Sequence, residues 1–156
     1  MTQNDQAGPS QAAPAQQKTV SHVLGEITWL MSQSPLHKQM FIADLEWFAM
    51  PAILLEQFRI FNGPEAPAGL AMWASVSDET DERLRAGASR LRPDEWRGGE
   101  HLWLVELVAP FGGQDEMLAD LAKNVFADKS FKFHMTTPDK GRMVKTYDQH
   151  LASATH

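Results

Sequence analysis

Two side chains in this sequence could carry acid–base chemistry, and they lie far apart along the chain. His37 follows Ser34-Pro35-Leu36, just past the end of a predicted helix, and Glu106 interrupts the apolar segment Leu102–Val108. An imidazole titrates near neutral pH, so His37 is a candidate general base, the alternative being a surface or capping histidine. A carboxylate in an apolar strand is costly unless it is paired. Glu106 is therefore a candidate site residue, unless it faces water on an edge strand.

The composition excludes several functional classes. The chain has 156 residues, 43% hydrophobic and 22% charged, which suits one domain with a buried core. Its formal net charge of −6 argues against nucleic-acid binding by bulk charge. It has no cysteine, so disulfides, cysteine zinc sites and cysteine nucleophiles are excluded. The sequence contains neither a Sec-type signal nor an apolar segment long enough to span a membrane, and we expect a cytoplasmic protein.

The elements that must position these side chains follow from hydrophobic periodicity. Residues 1–19 are rich in Gln, Ala and Pro and predict a disordered tail, which leaves residues 20–156 as a single domain. We expect a helix that begins after Ser21 as N-cap and ends at Ser32 to Pro35, and a second apolar helical segment that ends at Met50-Pro51. Two later helices are predicted, one capped by Ser77 and one over Gly112–Phe126.

Five segments have the composition of β-strands, and the turn-forming residues between them predict two hairpins. The predicted strands are Ala52–Phe61, Leu70–Ser77, His101–Pro110, Phe131–Thr137 and Arg142–Tyr147. Because these strands alternate with helices, the predicted fold class is α/β or α+β, with a central mixed or antiparallel sheet flanked by helices.

Three motifs together resemble the RTX toxin-activating lysine acyltransferases, the family that fatty-acylates haemolysin-type protoxins. They are VLGEITWLMSQSPLHK (residues 23–38), LAMWASVSDE (residues 70–79) and LWLVELVAPFGG (residues 102–113). Each motif is weak by itself, but their order and spacing are specific. The resemblance implies a GNAT-like fold and a cytoplasmic, often dimeric enzyme. It also implies transfer of an acyl group from acyl carrier protein to internal lysines of an RTX-type protoxin.

The resemblance also implies roles for three residues. His37 and Glu106 correspond to the family's catalytic pair, and Ser34 to a position that affects activity. Well-known members carry Asp where this chain has Glu106, which is longer by one methylene. Such an enzyme needs a base for the lysine ammonium, donors for the developing oxyanion and a proton for the thiol leaving group. His37 could serve as the base or as an acyl-imidazole nucleophile. Ser34 could orient His37, donate to the acyl oxygen, or bond only to its own backbone.

Two further groups are candidates for holding the acyl donor. Phe111-Gly112-Gly113 opens a predicted helix, and its free backbone N–H groups could hold a phosphate of the phosphopantetheine arm, although a simple turn is the alternative. Arg90 and Arg92 belong to a cluster, with Arg83, Arg85 and Arg97, that could dock the acidic acyl carrier protein. The alternative is a solvated helix face paired with Asp78, Glu79 and Glu82. We expect no bound metal or other cofactor, since the histidines lack zinc-ligand spacing.

Two other functions stay open. The altered carboxylate, the lack of an asparagine that family members often carry after the histidine, and the short C-terminal part suggest a binding or escort partner of an RTX protein. A GNAT-like enzyme that acylates a small amine from acyl-CoA is the other alternative, although a phosphate loop for CoA is not apparent.

Overall fold

A five-stranded sheet forms the centre of the part of the chain that the computed structural model describes, residues 18–127, 129–137 and 141–148. Neighbouring strands are antiparallel except for the third and fourth, which run parallel. This confirms the predicted mixed α/β class and is consistent with a GNAT-like fold. In sheet order, the strands are β1 (Phe58–Asn62), β2 (Pro67–Val76), β3 (His101–Val108), β4 (Phe131–Thr137) and β5 (Gly141–Tyr147).

Helices pack on both faces of the sheet and bury two groups of apolar side chains. On one face, Ile27 and Leu30 pack with Leu70 and Met72 of β2. On the other face, Leu121 and its neighbours pack against side chains of β2 to β4. The helices are α1 (Val20–Ser32), α2 (Leu45–Phe48), α3 (Met50–Leu55), α4 (Asp78–Arg85) and α5 (Gln114–Asp120), with short 3₁₀ turns at Ile42–Asp44 and Pro93–Glu95.

Helix α1 ends where predicted, but it begins at Val20, and its N-cap lies two positions earlier than expected. Thr19 Oγ1 accepts a hydrogen bond from the His22 backbone N–H at 3.1 Å, so Thr19 and not Ser21 caps the helix. Lys18 Nζ lies 2.9 Å from Glu26, which ties the residues just before the helix to it. The rest of the predicted tail, residues 1–17, lies outside the described residues, and the division into tail and domain stays a prediction.

The strand predicted over Ala52–Phe61 is wrong in its first half, because residues 50–55 form α3. Pro51 lies in the first turn of this helix, where its fixed φ and missing N–H are tolerated. The helix ends at Glu56, which has a left-handed φ of 58°, and β1 begins only at Phe58. A short apolar run does not distinguish a buried strand from a buried helix, so the pattern alone was ambiguous.

Other predicted elements have nearly the expected bounds. Ser77 caps α4 by accepting from the Thr80 N–H at 3.2 Å, as predicted. The helix predicted from Gly112 begins at Gln114 and continues after α5 as a π-helical turn, Leu121–Val125. The C-terminal hairpin forms between β4 and β5. In the described residues, no helix is long and apolar enough to cross a membrane.

Candidate functional site

The turn after α1 presents Ser34 and His37 together. The backbone N–H groups of His37 and Lys38 both donate to the Ser34 carbonyl, at 3.0 and 2.9 Å. Pro35 restricts Ser34 to a non-helical conformation, which ends α1 and begins the turn. Ser34 and His37 are three positions apart in this tight turn, and Ser34 Oγ lies 2.6 Å from His37 Nδ1.

Glu106 lies on the central strand of the sheet, so the alternative of an exposed edge strand is wrong. It pairs with Met72 of β2, while Leu104 pairs with Trp73. Val105 therefore has no partner in the ladder and forms a β-bulge. In a regular strand, consecutive side chains point to opposite faces, but here Val105 and Glu106 line the same cavity. The bulge is what aims Glu106 at the side of the sheet covered by α1.

The three candidate catalytic residues form one hydrogen-bonded chain. His37 Nε2 lies 3.0 Å from Glu106 Oε1, and Ser34 Oγ contacts the other ring nitrogen. An ionised carboxylate only accepts, so Nε2 carries hydrogen and Nδ1 of the neutral ring accepts from Ser34. If Nδ1 becomes protonated, the Ser34 hydroxyl can rotate and accept instead. The extra methylene of Glu106 thus does not prevent its contact with the imidazole.

A largely apolar cavity of about 160 Å³ opens beside this chain of hydrogen bonds. His37 and Glu106 contribute to its wall, with side chains that are 11% and 26% exposed. Ser34 is only 6% exposed and lies behind the imidazole, outside the wall. The other lining residues are Met40, Trp47, Phe48, Met72, Ser89, Leu91, Trp96 and Val105.

Sequence reasoning did not single out which tryptophans line this cavity, and the structure places Trp47 and Trp96 in its wall. Trp47 Nε1 donates to Asp44 at 3.1 Å, and hydrogen bonds from the Phe41 backbone and from Trp47 hold the pKa of Asp44 below its usual value. Trp96 comes from the loop before β3, which was predicted only as a connection. No spacing rule links either tryptophan to His37; the tertiary fold alone brings them together.

The Phe111-Gly112-Gly113 segment is a turn outside the cavity wall. Both glycines have positive φ, 91° and 88°, and Phe111 packs against Trp29 with ring centroids 6.0 Å apart. The first turn of α5 carries Asp115 and Glu116, whose charges would repel a phosphate. The arrangement therefore favours the turn interpretation of this segment over a phosphate site.

Most arginines of the predicted docking cluster are engaged within the chain. Arg83 donates twice to Glu95 at 2.7 Å, and Arg85 pairs with Asp81 at 3.1 Å. Arg92 lies 3.3 Å from Glu95, with a further contact to Asp94. The partners are thus Asp81, Asp94 and Glu95, and not the Asp78, Glu79 and Glu82 that the helical face suggested.

Arg90 differs from these arginines. Its guanidinium lies 4.2 Å above the ring of Trp47, and its two neighbours in sequence, Ser89 and Leu91, line the cavity. Within the described residues, no carboxylate lies within ion-pair distance of Arg90. Across the same part of the chain, no cluster of side chains could hold a metal ion.

Comparison with known proteins adds the deciding observation. The sequence profile of the RTX toxin acyltransferase family matches residues 16–148 of this chain. The chain belongs to that family. The predicted resemblance to this family is therefore confirmed, and the family is one of acyltransferases.

Named relatives agree with this assignment. The chain is 32% identical to the leukotoxin-activating lysine-acyltransferase of a Pasteurella haemolytica-like species, over 65% of this chain and 62% of the relative. It is 31% identical to a lysine-acyltransferase of Vibrio cholerae, over 69% and 71%. The RTX-II toxin-activating lysine-acyltransferase of Actinobacillus pleuropneumoniae is 25% identical, over 79% and 78%. The chain thus covers less than two thirds of the first of these relatives.

Proposed function

We propose that this member of the RTX toxin acyltransferase family transfers a fatty acyl group from acyl carrier protein to lysine ε-amines of an RTX-type protein. The observation that carries the proposal is the hydrogen-bonded chain Ser34–His37–Glu106 beside an apolar cavity. Relatives named as lysine-acyltransferases support lysine as the acceptor. The cytoplasmic location and the homodimer implied by the resemblance stay predictions.

In this proposal, the His37–Glu106 pair takes a proton from the substrate ammonium. Only the free amine attacks a thioester, so one proton must leave before the C–N bond forms. Both members of the pair line the cavity, so an amine placed there can reach them. Ser34 keeps the imidazole oriented, because its hydroxyl can donate to the neutral ring or accept from the charged one. That proton can then pass to the departing thiolate, and the attacking nitrogen loses a second proton to the same pair as the amide forms, from which it is released to solvent.

Proton transfer fits the geometry better than a covalent acyl-imidazole. A nucleophilic nitrogen needs a lone pair directed at the thioester, but Nδ1 faces the buried Ser34 hydroxyl. Nε2 is directed at Glu106, 3.0 Å away. Attack by either nitrogen would break one of these two hydrogen bonds. Uptake of the proton by Oε2 of Glu106, which has no hydrogen-bond partner in the described residues, keeps both.

The size of the cavity indicates which part of the donor it would hold. A cavity of about 150 Å³ accommodates a molecule the size of benzene, and this one measures about 160 Å³. It is therefore suited to the thioester and the first few carbons of an acyl chain, and a long chain would extend beyond it. Met40 in the wall is followed by the strongly exposed Phe41 and Ile42, which offer apolar contacts for the remainder.

Arg90 is the residue of the predicted docking cluster that best suits contact with an acidic carrier protein or its phosphate. Its contact with Trp47 of the cavity wall supports this role, and in the described residues no carboxylate lies within ion-pair distance of Arg90, although its charge helps to lower the pKa of Asp44. We expect Arg90→Glu to raise the KM for acyl carrier protein. Lys145→Glu on β5 is the matched charge reversal away from the cavity. An unchanged KM in Arg90→Glu would remove Arg90 from the proposal.

The direct test is the intact mass of an RTX-type protoxin fragment after incubation with the chain and acyl carrier proteins loaded with different chains. We expect a mass gain of one acyl group, which His37→Ala reduces by about 10²- to 10⁴-fold. His22→Ala, a histidine on the exposed side of α1, is the matched control and should transfer at the normal rate. Peptide mapping of the product identifies the lysine.

The experiment also separates the alternative functions. Complex formation without a mass gain for any donor would favour a binding or escort partner. Transfer from acyl-CoA to a small amine, with none to the fragment, would favour the small-amine enzyme. Either result would overturn the proposal.

A further inference from the structure

The turn that carries the candidate catalytic histidine also carries a lysine. Lys38 follows His37 directly, and the backbone N–H groups of both residues donate to the Ser34 carbonyl. Consecutive Cα atoms are about 3.8 Å apart, so the Lys38 side chain begins next to the residue that bears the imidazole. An amine of the chain itself thus lies close to a site for which an amine is the proposed acceptor.

The side chain of Lys38 is held by no partner in the described part of the chain. Lys38 is exposed, and its ammonium makes neither a hydrogen bond nor an ion pair there. By contrast, Lys132 Nζ lies 2.7 Å from Asp81. A lysine amine sits on a flexible four-carbon stem. Lys38 does not itself line the cavity, but its amine can rotate toward His37, which does.

Apolar side chains are exposed on both sides of Lys38. Leu36 and Phe41 are each 77% exposed, and Ile42 is 86% exposed. Among the described residues, no other large apolar side chain is as exposed as these three. Single exposed apolar residues are ordinary, but several within one short segment indicate a contact surface. The backbone N–H of Phe41 donates to Asp44 at 2.8 Å, which fixes one end of this segment.

An acyl chain attached to Lys38 would have the chemistry and the position to cover this surface. The cavity of about 160 Å³ holds only the first few carbons of a donor chain, and in the proposed transfer the remainder contacts Phe41 and Ile42. When the chain moves from the thioester to Lys38, only its carbonyl carbon changes partner. The apolar contacts of the remaining carbons can therefore persist in the product.

We propose that Lys38 is a self-acylation site, at which the enzyme attaches a fatty acyl group to its own ε-amine. This inference rests on the proposed acyl transfer. The Lys38 ammonium loses a proton to the His37–Glu106 pair, and the neutral nitrogen attacks the thioester carbon. A C–N bond forms, the C–S bond breaks, and the thiolate takes up the proton from the pair. The nitrogen loses a second proton through the pair to solvent, which leaves an amide on Lys38 and a free thiol on the carrier protein.

The test is the intact mass of the chain after incubation with fatty acyl carrier protein and no protoxin. We expect a gain of one acyl group that survives neutral hydroxylamine, which cleaves an acyl-imidazole or an ester but not an amide. Peptide mapping should place the group on Lys38. Lys38→Arg keeps the charge without a nucleophilic amine and should abolish the gain. Lys145→Arg changes an exposed lysine of β5 and is the matched control, which should keep the gain.

Two rate measurements separate catalysed self-acylation from slow chemical acylation of an exposed lysine. We expect His37→Ala to slow the acylation of Lys38 by about 10²-fold or more, and to leave any background acylation of Lys145 unchanged. At saturating donor, the rate constant should be independent of protein concentration, because the attack occurs within one chain. A rate constant that rises with protein concentration would show transfer between molecules and contradict this geometry.

Three other results would overturn the inference. They are a mass gain that hydroxylamine removes, an equal gain in Lys38→Arg, and an equal rate in His37→Ala. Failure here is distinguishable from failure of the proposed function. Acylation of a protoxin fragment while Lys38 stays unmodified overturns this inference alone. Acylation of Lys38 without transfer to the fragment leaves the self-acylation site standing and overturns the protoxin lysine as acceptor.

Discussion

Glu95 and Glu106 are both partly or wholly buried carboxylates, but their surroundings differ. Glu95 accepts two hydrogen bonds from Arg83 at 2.7 Å and one from the Arg92 backbone N–H at 2.8 Å. The Arg83 hydrogen bonds in particular lower the pKa of Glu95 from 4.5 to about 2. Glu106 has one described partner, His37, and lines a cavity. Glu95 therefore has several hydrogen-bond donors within the protein. Glu106 has one in the described residues and can accept a further hydrogen bond from a ligand in the cavity.

Asp81 belongs with Glu95 in this comparison. It accepts from Trp103 Nε1 at 2.8 Å and from Lys132 Nζ at 2.7 Å, which joins α4 to β3 and β4. Burial opposes ionisation of Asp81, but these hydrogen bonds outweigh it and lower its pKa. A buried acid with several cationic or N–H partners is a structural element. A carboxylate with a single imidazole partner beside a cavity is a candidate for chemistry.

The difference between Glu95 and Glu106 predicts its largest effect for Glu106→Gln, which should lower the rate of acyl transfer. The amide cannot accept a proton, so we expect acyl transfer to fall about 10²- to 10³-fold. The midpoint of thermal unfolding should stay within about 2 °C, because few contacts depend on the charge. Rates from intact mass and unfolding from circular dichroism check both parts. A large loss of stability in Glu106→Gln would instead show that Glu106, like Asp81 and Glu95, stabilises the fold.

The opposite result is expected for Glu95→Gln. Removing the charge leaves Arg83 without its buried partner, so we expect the free energy of unfolding to fall by on the order of 2 kcal/mol. The variant that still folds should transfer acyl groups at close to the normal rate. Glu65→Gln, in the exposed loop between β1 and β2, is the matched control and should change neither property. Urea unfolding at neutral pH measures the difference.

Acid should affect the structural carboxylate in a specific pH range. The folded-state pKa of Glu95, about 2, lies below its ordinary 4.5, so its stabilisation is complete above pH 4.5 and is lost as the pH falls toward 2. The free energy of unfolding of the wild type should therefore decrease more steeply over this range than that of Glu95→Gln. Parallel pH dependences of the two proteins would show that the Arg83–Glu95 pair does not stabilise the fold.

The smallest effect is expected at Ser34, which acts only through His37. We expect Ser34→Ala to lower kcat roughly 10-fold without changing the KM for the acyl donor, because the imidazole loses one of its two orienting hydrogen bonds. Ser34→Thr keeps a hydroxyl and should restore most of the rate. A loss that threonine does not rescue would indicate a packing effect, and a raised KM would indicate direct contact with the donor.

Local patterns were enough to predict much of the fold. The capping residue Ser77 and the turn residues of the two hairpins act within a few positions, so the sequence displays them directly. The segment Ala52–Leu55 was wrongly predicted as a strand. A short apolar run is compatible with helix or strand, and Pro51 lies in the first turn of a helix here.

The candidate site was predictable only in part. Ser34, His37 and Glu106 were identified through motif resemblance, and the structure brings them together. The bulge at Val105 was not visible, since it depends on pairing with β2. The place of Trp47 and Trp96 in the cavity wall was not visible either, because distant segments of the chain form this cavity. The arginine partners were mispredicted for the same reason: Glu95 reaches Arg83 only when the loop after α4 folds back.

In the proposed mechanism, His37 and Glu106 act as one proton-transfer pair. Acyl-transfer rates of His37→Ala, Glu106→Gln and the double variant on one protoxin fragment show whether they do. Residues that work as a unit lose activity non-additively. We therefore predict that the double variant is no more than about threefold slower than His37→Ala alone. Losses that multiply in the double variant would contradict the claim and show that the two residues act independently.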